Sequence, residues 1–237
     1  VIDRSLNYGR HVVARFLAEA GPLANVLDLG AGWGDDLAAA RRLHPGAKLH
    51  GVETHAPAVL ALQSQDVHVL QCNLERDRLP LADASMDAVI QNQVLEHAKE
   101  VFWIIHEATR VLAVGGSMIL GVPNLASLHN RLLLVAGRQP SVIKTLSAHV
   151  RGFTKPDLLG FLAGAFPGGF ETAGFAGSNF YPFPAPLARP LAALFPTLAW
   201  GMFFRLVKRR AYRGEFLDYL ARNPLETNFY TGPDGGP

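Results

Sequence analysis

The sequence predicts an α/β protein: a three-layer, doubly wound, mostly parallel sheet of seven strands, with an insert after the fifth. Short runs rich in β-branched residues alternate with segments of helical periodicity. The early runs are apolar along their length, as strands covered by helices on both faces must be. A glycine-rich turn joins the first run to a helix, the place where such sheets bind ligands. Of 237 residues, 49% are hydrophobic and 18% charged, enough apolar surface for a large core.

Each element follows from local pattern. Residues 7–20, NYGRHVVARFLAEA, set Val12, Val13, Phe16 and Leu17 at helical spacing, ended by Gly21-Pro22. Strands are expected at 26–29, 48–53, 67–72, 86–91 and 117–122, with helices at 35–43, 57–63 and 98–112 between them. Ala113–Gly116 reads as a turn into the fifth strand. After Pro123-Asn124 the regularity breaks. Residues 125–152 are expected to form a substrate lid, their Leu125, Leu128, Leu132 and Leu133 stripe covering an apolar acceptor or packing on the core. A helix returns at 155–165, with Thr154 as its N-cap and Pro156 in its first turn. Strands near 170–175 and 202–208 complete the seven.

Between those last two strands, five prolines in 181–200 argue against one regular helix. Four readings stand for this apolar stretch: packing under the sheet, a rim for a lipid-like acceptor, peripheral contact with a membrane surface, or a subunit contact. The main domain is expected to span 1–209. Residues 210–237 read as a tail, with the terminal GPDGGP expected to be disordered.

The bulk numbers exclude several classes. A net charge of +2 gives no electrostatic case for nucleic acid. The local excess Lys208, Arg209, Arg210 and Arg213 reads as a solvated strand end. Cys72, alone, excludes an internal disulfide framework and any all-cysteine metal site, and no metal ligands are assigned from sequence. No apolar run reaches the ~18 residues a spanning helix needs. Val1 opens without a signal-like core, so a cytoplasmic location is expected.

The chemistry starts at VLDLGAGWG, residues 26–34. Asp28 ends a buried strand, and Gly30, Gly32 and Gly34 let main-chain N–H groups approach a ligand. A dinucleotide fingerprint would need a third glycine at position 35, where Asp35 stands. An acid at a helix start repels a pyrophosphate. No Gly-Lys-Ser/Thr follows, so a Walker-type phosphate loop is absent too.

The D-x-G-x-G-x-G pattern resembles motif I of the class I S-adenosylmethionine-dependent methyltransferases. Ordered matches follow: GVET with Glu53, the 71–97 stretch ending in VLEH, RVLAVGGSMILGVPN (110–124) and HVRGFT (149–154). The likeness spans about residues 8–209 and points to the small-molecule, ubiquinone-biosynthesis-like branch. It implies S-adenosylmethionine as cofactor, held by Asp28, Gly30, Ala31, Gly32, Glu53 and Thr54. Glu53 would accept from the ribose hydroxyls. Asn73 and Leu74 would meet the adenine, although the family often has Asp where Asn73 stands. Gln91 would line the methionine portion through its backbone. Arg10 either clamps the methionine carboxylate or is a solvated helix-start arginine. Trp33 either flanks the cofactor or packs as an ordinary aromatic.

On the acceptor side, methyl transfer from a sulfonium needs mainly an aligned nucleophile, and a base if that nucleophile is a hydroxyl. His97 and His149 are the candidates for base or acceptor contact, ahead of His129. Glu96 is expected to orient by hydrogen bonding. The implied reaction is O-methylation of a small hydroxyl compound: natural-product, quinone-like or glycan-related. The fourth strand ends in QNQV, which lacks the loop of nucleic-acid N-methyltransferases. Oligomerisation stays open. The competing reading is a cofactor-binding partner or regulatory subunit with no turnover, a role suggested by a resemblance of the 123–138 stretch to a methionine-biosynthesis-associated family.

Overall fold

The computed structural model describes residues 3–223, 225 and 227–233. Helix α1 (Arg10–Glu19) is followed by β1 (Asn25–Leu29), α2 (Asp35–Leu43), β2 (Lys48–Val52), α3 (Ala56–Ser64), β3 (His68–Leu70) and β4 (Met86–Asn92). Then come α4 (Val101–Val111), β5 (Leu112–Pro123), α5 (Leu128–Val135), α6 (Lys155–Ala165), β6 (Phe170–Ser178), α7 (Ala185–Leu194), β7 (Gly201–Lys208) and α8 (Glu215–Arg222). The sheet order is β3-β2-β1-β4-β5-β7-β6. Strands β1 to β5 pair in parallel, and β7 runs antiparallel to both its neighbours. The order of strands across the sheet therefore reverses between β1 and β4, the crevice where doubly wound sheets take ligands.

The central strands are buried almost continuously, and their side chains alternate between two covered faces. Leu27, Leu29, Val89, Leu120 and Phe204 face α4, α6 and α8. Val26, Ile90, Ile119 and Phe203 face α1, α2 and α3. Each fully buried Leu, Ile or Phe contributes about 1.5–3 kcal/mol of transfer free energy, so the two apolar layers dominate stability. Thr154 caps α6 as expected, its side chain accepting from the Asp157 N–H.

Three expectations need correction. Ala113–Gly116 is no turn between elements but an irregularity inside β5: pairing jumps from Met86–Leu112 to Ala88–Ser117, with Gly115 at φ 87°. The proline-rich stretch is not one regular helix, as expected, but a ten-residue helix, α7, forms within it. Pro186 lies in its first turn, where an N–H is dispensable, and Pro190 is accommodated inside it. Its inner face is small, and Gly177, Ala188, Ala192 and Ala199 let it lie close on β6. Phe183, Leu187, Leu194 and Phe195 point outward and are exposed.

Lys208 is not solvated. It is 2% exposed, and its Nζ donates to the carbonyls of Thr109 (2.7 Å) and Leu112 (2.6 Å), satisfying the end of α4. Finally, the tail supplies α8, which buries Phe216 in the main core and stacks Tyr219 on Phe102. Tyr230 sits edge-on to Trp103. Residues 234–237, part of the segment expected to be disordered, lie outside the described residues.

Candidate active site

The glycine turn is built from its backbone. Gly30, Gly32 and Gly34 have φ of 71°, 52° and 85°, the left-handed region that favours glycine. The N–H groups of Gly30 and Ala31 both donate to the Val52 carbonyl, fixing the turn to the end of β2. A Cβ on Gly34 would press to 2.8 Å on Leu62, whereas one on Gly32 would meet only open space. Glycine is thus demanded by packing at one position and by conformation at the other.

Glu53 closes the turn. Its Oε2 accepts from the Gly32 N–H (2.9 Å), and its Oε1 from the N–H groups of Thr54 (2.7 Å) and His55 (2.8 Å) at the start of α3. Three of a carboxylate's roughly four acceptor directions are taken, leaving room for one further donor. Accepting two ribose hydroxyls, as expected from sequence, would require one of these N–H groups to let go.

Asp28, alternating with Leu27 and Leu29, is buried at the base of the turn. Burial holds its carboxyl well above the ordinary range, with Asp36 and then Glu53 adding repulsion. Asp36 is raised mainly by burial and moderated by Asn92, which donates to its Oδ2 at 2.7 Å. Three carboxylates therefore converge, and no cation is among the groups acting on Asp28. Such a cluster favours a cationic ligand and disfavours phosphate.

Beside the turn lies a cavity of about 330 Å³ lined by Gly30, Glu53, Thr54, Asn73, Leu74 and His97. Val52, Cys72 and Ile104 contribute apolar wall. Five residues expected to hold the cofactor thus share one cavity with one expected on the acceptor side. Asn73 Oδ1 already accepts from the Glu75 N–H (2.9 Å), closing its loop. The Cys72 thiol is pushed up by burial, with Asp77 and Glu107 adding repulsion.

Other expected residues stand outside that lining. Gln91 is wholly buried, its amide nitrogen 3.8 Å from the Met118 sulfur. Arg10 is half-exposed and paired with Asp35 at 2.5 Å, so a carboxylate already occupies its guanidinium. Trp33 is 60% exposed, edge-on to His55, and is no core aromatic. His129 lies against Tyr181 and is displaced downward in pKa by burial.

The structure brings His97 and His149 together although about fifty residues separate them. Their rings are 4.7 Å apart, edge to face. His149 Nδ1 contacts the Val142 carbonyl at 2.7 Å, and His97 Nδ1 contacts that of Ala148 at 3.3 Å. The Val150 and Arg151 N–H groups donate to the Glu96 carbonyl, pinning the end of the 125–152 insert beside the cavity. Helix α5 of that insert leaves Leu132, Leu134 and Val135 exposed.

Glu96 does not orient anything by hydrogen bonding. Both carboxylate oxygens are buried without a partner among the described residues, and burial pushes its carboxyl up to about 8. Sequence reading also passed over Asp36 and Asn92. Asn92 donates to the Tyr8 carbonyl as well as to Asp36, tying the N-terminal segment to the site. Two polar residues closing an apolar strand, Gln91-Asn92, were the available signal.

Comparison with known proteins agrees with this geometry. Residues 27–120 match a family described as Methyltransferase domain. A Mycobacterium tuberculosis protein described as a probable S-adenosylmethionine-dependent methyltransferase is 34% identical over 122 residues, 49% of this chain and 42% of that protein. The bifunctional methionine biosynthesis protein MetXA/MetW of Rhodopirellula baltica is 34% identical over 110 residues, 44% of this chain and 17% of that protein. The matched region thus spans less than half the length of these relatives.

Among solved structures, one is the complex of the Haloferax volcanii Trm112 methyltransferase activator with a methyltransferase: TM-score 0.61, 18% identity, 89% of this chain and 92% of that one. Another is the Burkholderia thailandensis 1,6-didemethyltoxoflavin-N1-methyltransferase with its substrate and S-adenosylhomocysteine bound: TM-score 0.58, 18% identity, 88% and 80% covered. In sequence over residues 27–120, and in fold over most of its length, the chain is thus similar to S-adenosylmethionine-dependent methyltransferases. Among the described residues no helix is long and apolar enough to cross a membrane.

Proposed function

We propose that the chain methylates a hydroxyl of a small-molecule acceptor, of natural-product, quinone-like or glycan-related chemistry. The observation that carries cofactor binding is the convergence of Asp28, Asp36 and Glu53 on a glycine turn beside a nucleoside-sized cavity. When bound, the cofactor supplies a methyl group on a sulfonium, already activated for in-line displacement. Asp28 holds negative charge near the turn, where an ammonium would offset its burial. Glu53 accepts from one ribose hydroxyl while keeping the Gly32, Thr54 and His55 N–H groups in register. Asn73 and Leu74 wall the adenine side, Gly30 and Gly32 open the backbone, Ala31 backs the turn, and Gln91 offers its main chain.

The oxygen assignment is supported by the imidazoles of His97 and His149, because a hydroxyl, unlike an amine, must lose its proton to react well. The Burkholderia neighbour acts on nitrogen by its name; its acceptor is small, which agrees with a pocket shaped by an insert. Calorimetry with S-adenosylhomocysteine tests the donor site, and absence of binding would end the proposal. Screening hydroxyl compounds for formation of S-adenosylhomocysteine tests the acceptor.

A second reading, a cofactor-binding partner without turnover, is favoured by the similarity to MetXA/MetW. It predicts cofactor binding and no product with any acceptor offered.

A further inference from the structure

Glu96, His97 and His149 form a group whose parts do not explain one another as a protein-only arrangement. A buried carboxylate normally finds donors, because leaving it unpaired costs several kcal/mol. Glu96 is 1% exposed, and neither oxygen has a hydrogen-bond partner among the described residues. Yet one of its oxygens and one ring nitrogen from each histidine lie within 4.8 Å of one another. The histidines are prepared in a particular way. Each turns Nδ1 to a backbone carbonyl, Ala148 for His97 and Val142 for His149, which fixes the proton there and leaves Nε2 with a free lone pair. Metal-ligating histidines are held by the same device.

We infer that Glu96, His97 and His149 form a binding site for a divalent transition-metal ion of the zinc class. Two imidazoles and one carboxylate suit zinc with a position left open. Zinc would draw the three ligand atoms closer than they stand, since its bonds are about 2.0–2.2 Å. His97 is exposed and His149 only partly buried, so rotation of the two rings can supply that closure. The buried Glu96 gains the counter-charge it lacks. His97 also lines the cavity beside the glycine turn, so the open position faces the space where an acceptor would meet the donor.

The ion's role toward an acceptor rests on the methyl-transfer reading. There the imidazoles would act through the ion: an acceptor hydroxyl reaching the open position is acidified and passes its proton to solvent, with neither histidine taking it. The site itself is independent of that reading. It also unites two segments at the cavity wall, the β4–α4 link and the end of the insert, that nothing else in the cofactor scheme requires to meet.

The test is titration of the chelator-treated, tag-free full chain with ZnCl₂ by calorimetry, and with CoCl₂ by visible d–d absorption, without donor or acceptor. The expected result is one equivalent bound, and a rise in Tm of ~5–10 °C when zinc is present at about 100 times its Kd. His149→Ala and Glu96→Gln should each weaken binding by more than the ~10–100-fold that a lost outer-shell partner costs. His50→Ala, which breaks the separate His50–His68 pair, should leave it unchanged. No saturable binding, or one equivalent bound equally well by folded His149→Ala, would overturn the site. Should Glu96→Gln fail to fold, the His149 variant still decides. Zinc bound without any affinity for S-adenosylhomocysteine would end the methyl-transfer reading and leave the metal site standing.

Discussion

Asp28 is a single residue set against stability. Its carboxyl is held well above the ordinary range by burial, then by Asp36 and Glu53. The sign follows: the folded state binds a proton more tightly than the unfolded chain. The residue's cost is therefore absent below an ordinary aspartate pKa of about 4, and stability falls as pH rises from there. Asp28→Asn should raise the Tm of the ligand-free protein, by about 2–4 °C for each kcal/mol relieved, and the gap to wild type should widen with pH. The same change should weaken S-adenosylmethionine binding by about tenfold or more, the loss of a charge-assisted contact. A stabilised variant with unchanged affinity would remove Asp28 from the site. Glu53→Ala should weaken binding as well, and should also lower Tm by leaving the Gly32 N–H without its acceptor; unchanged affinity in calorimetry would sink the ribose assignment.

At the scale of elements, the alternation of apolar strands and helices was legible because period and composition are local properties. The failures were places where a distant element decides. Lys208 is a cation in a run of cations, and only the position of α4 makes it a buried cap. Lys208→Met should cost about 2–4 kcal/mol, since two carbonyls lose their donor, and denaturant melts would show it. Helix α7 was missed because prolines count against helices in isolation, whereas β6 offers a surface that fits its small face. Gly177→Val would drive a side chain into Ala199 and the Ala192 carbonyl, 2.5 and 2.9 Å from a Cβ there. It should cost about 1–3 kcal/mol as overpacking, read as a fall in Tm.

The candidate site divides along the same line. Its cofactor half is contiguous motif, so glycines and strand-end acids could be read in order. Its acceptor half exists only after folding: His97 and His149 meet because the insert returns to Glu96, and no spacing rule announces that. Glu96 was misjudged because sequence gives a residue's type but not the absence of its partners.

Across the whole molecule, the N-terminal segment acts as a strap over the sheet's carboxyl edge. Asn179, left-handed at φ 55°, donates to the Asp3 carbonyl and to Asn7 Oδ1. Asn7 also meets the Tyr181 hydroxyl. Asn179→Ala should cost about 2–3 kcal/mol and expose residues 3–9 to limited proteolysis, with β1 to β5 still protected in hydrogen exchange.

That strap gives the protein an order of assembly. Asn7 leaves the ribosome early and finds its partners more than 170 residues later. Strand β7, made last, must enter between β5 and β6, both already synthesised. A nascent chain can therefore form the glycine turn and its carboxylates before β6 and β7 are translated, and hold their charges without a finished wall around them. Contacts at such separations are slow to close. The glycine turn is thus among the early parts of the molecule able to take shape and among the last to be covered.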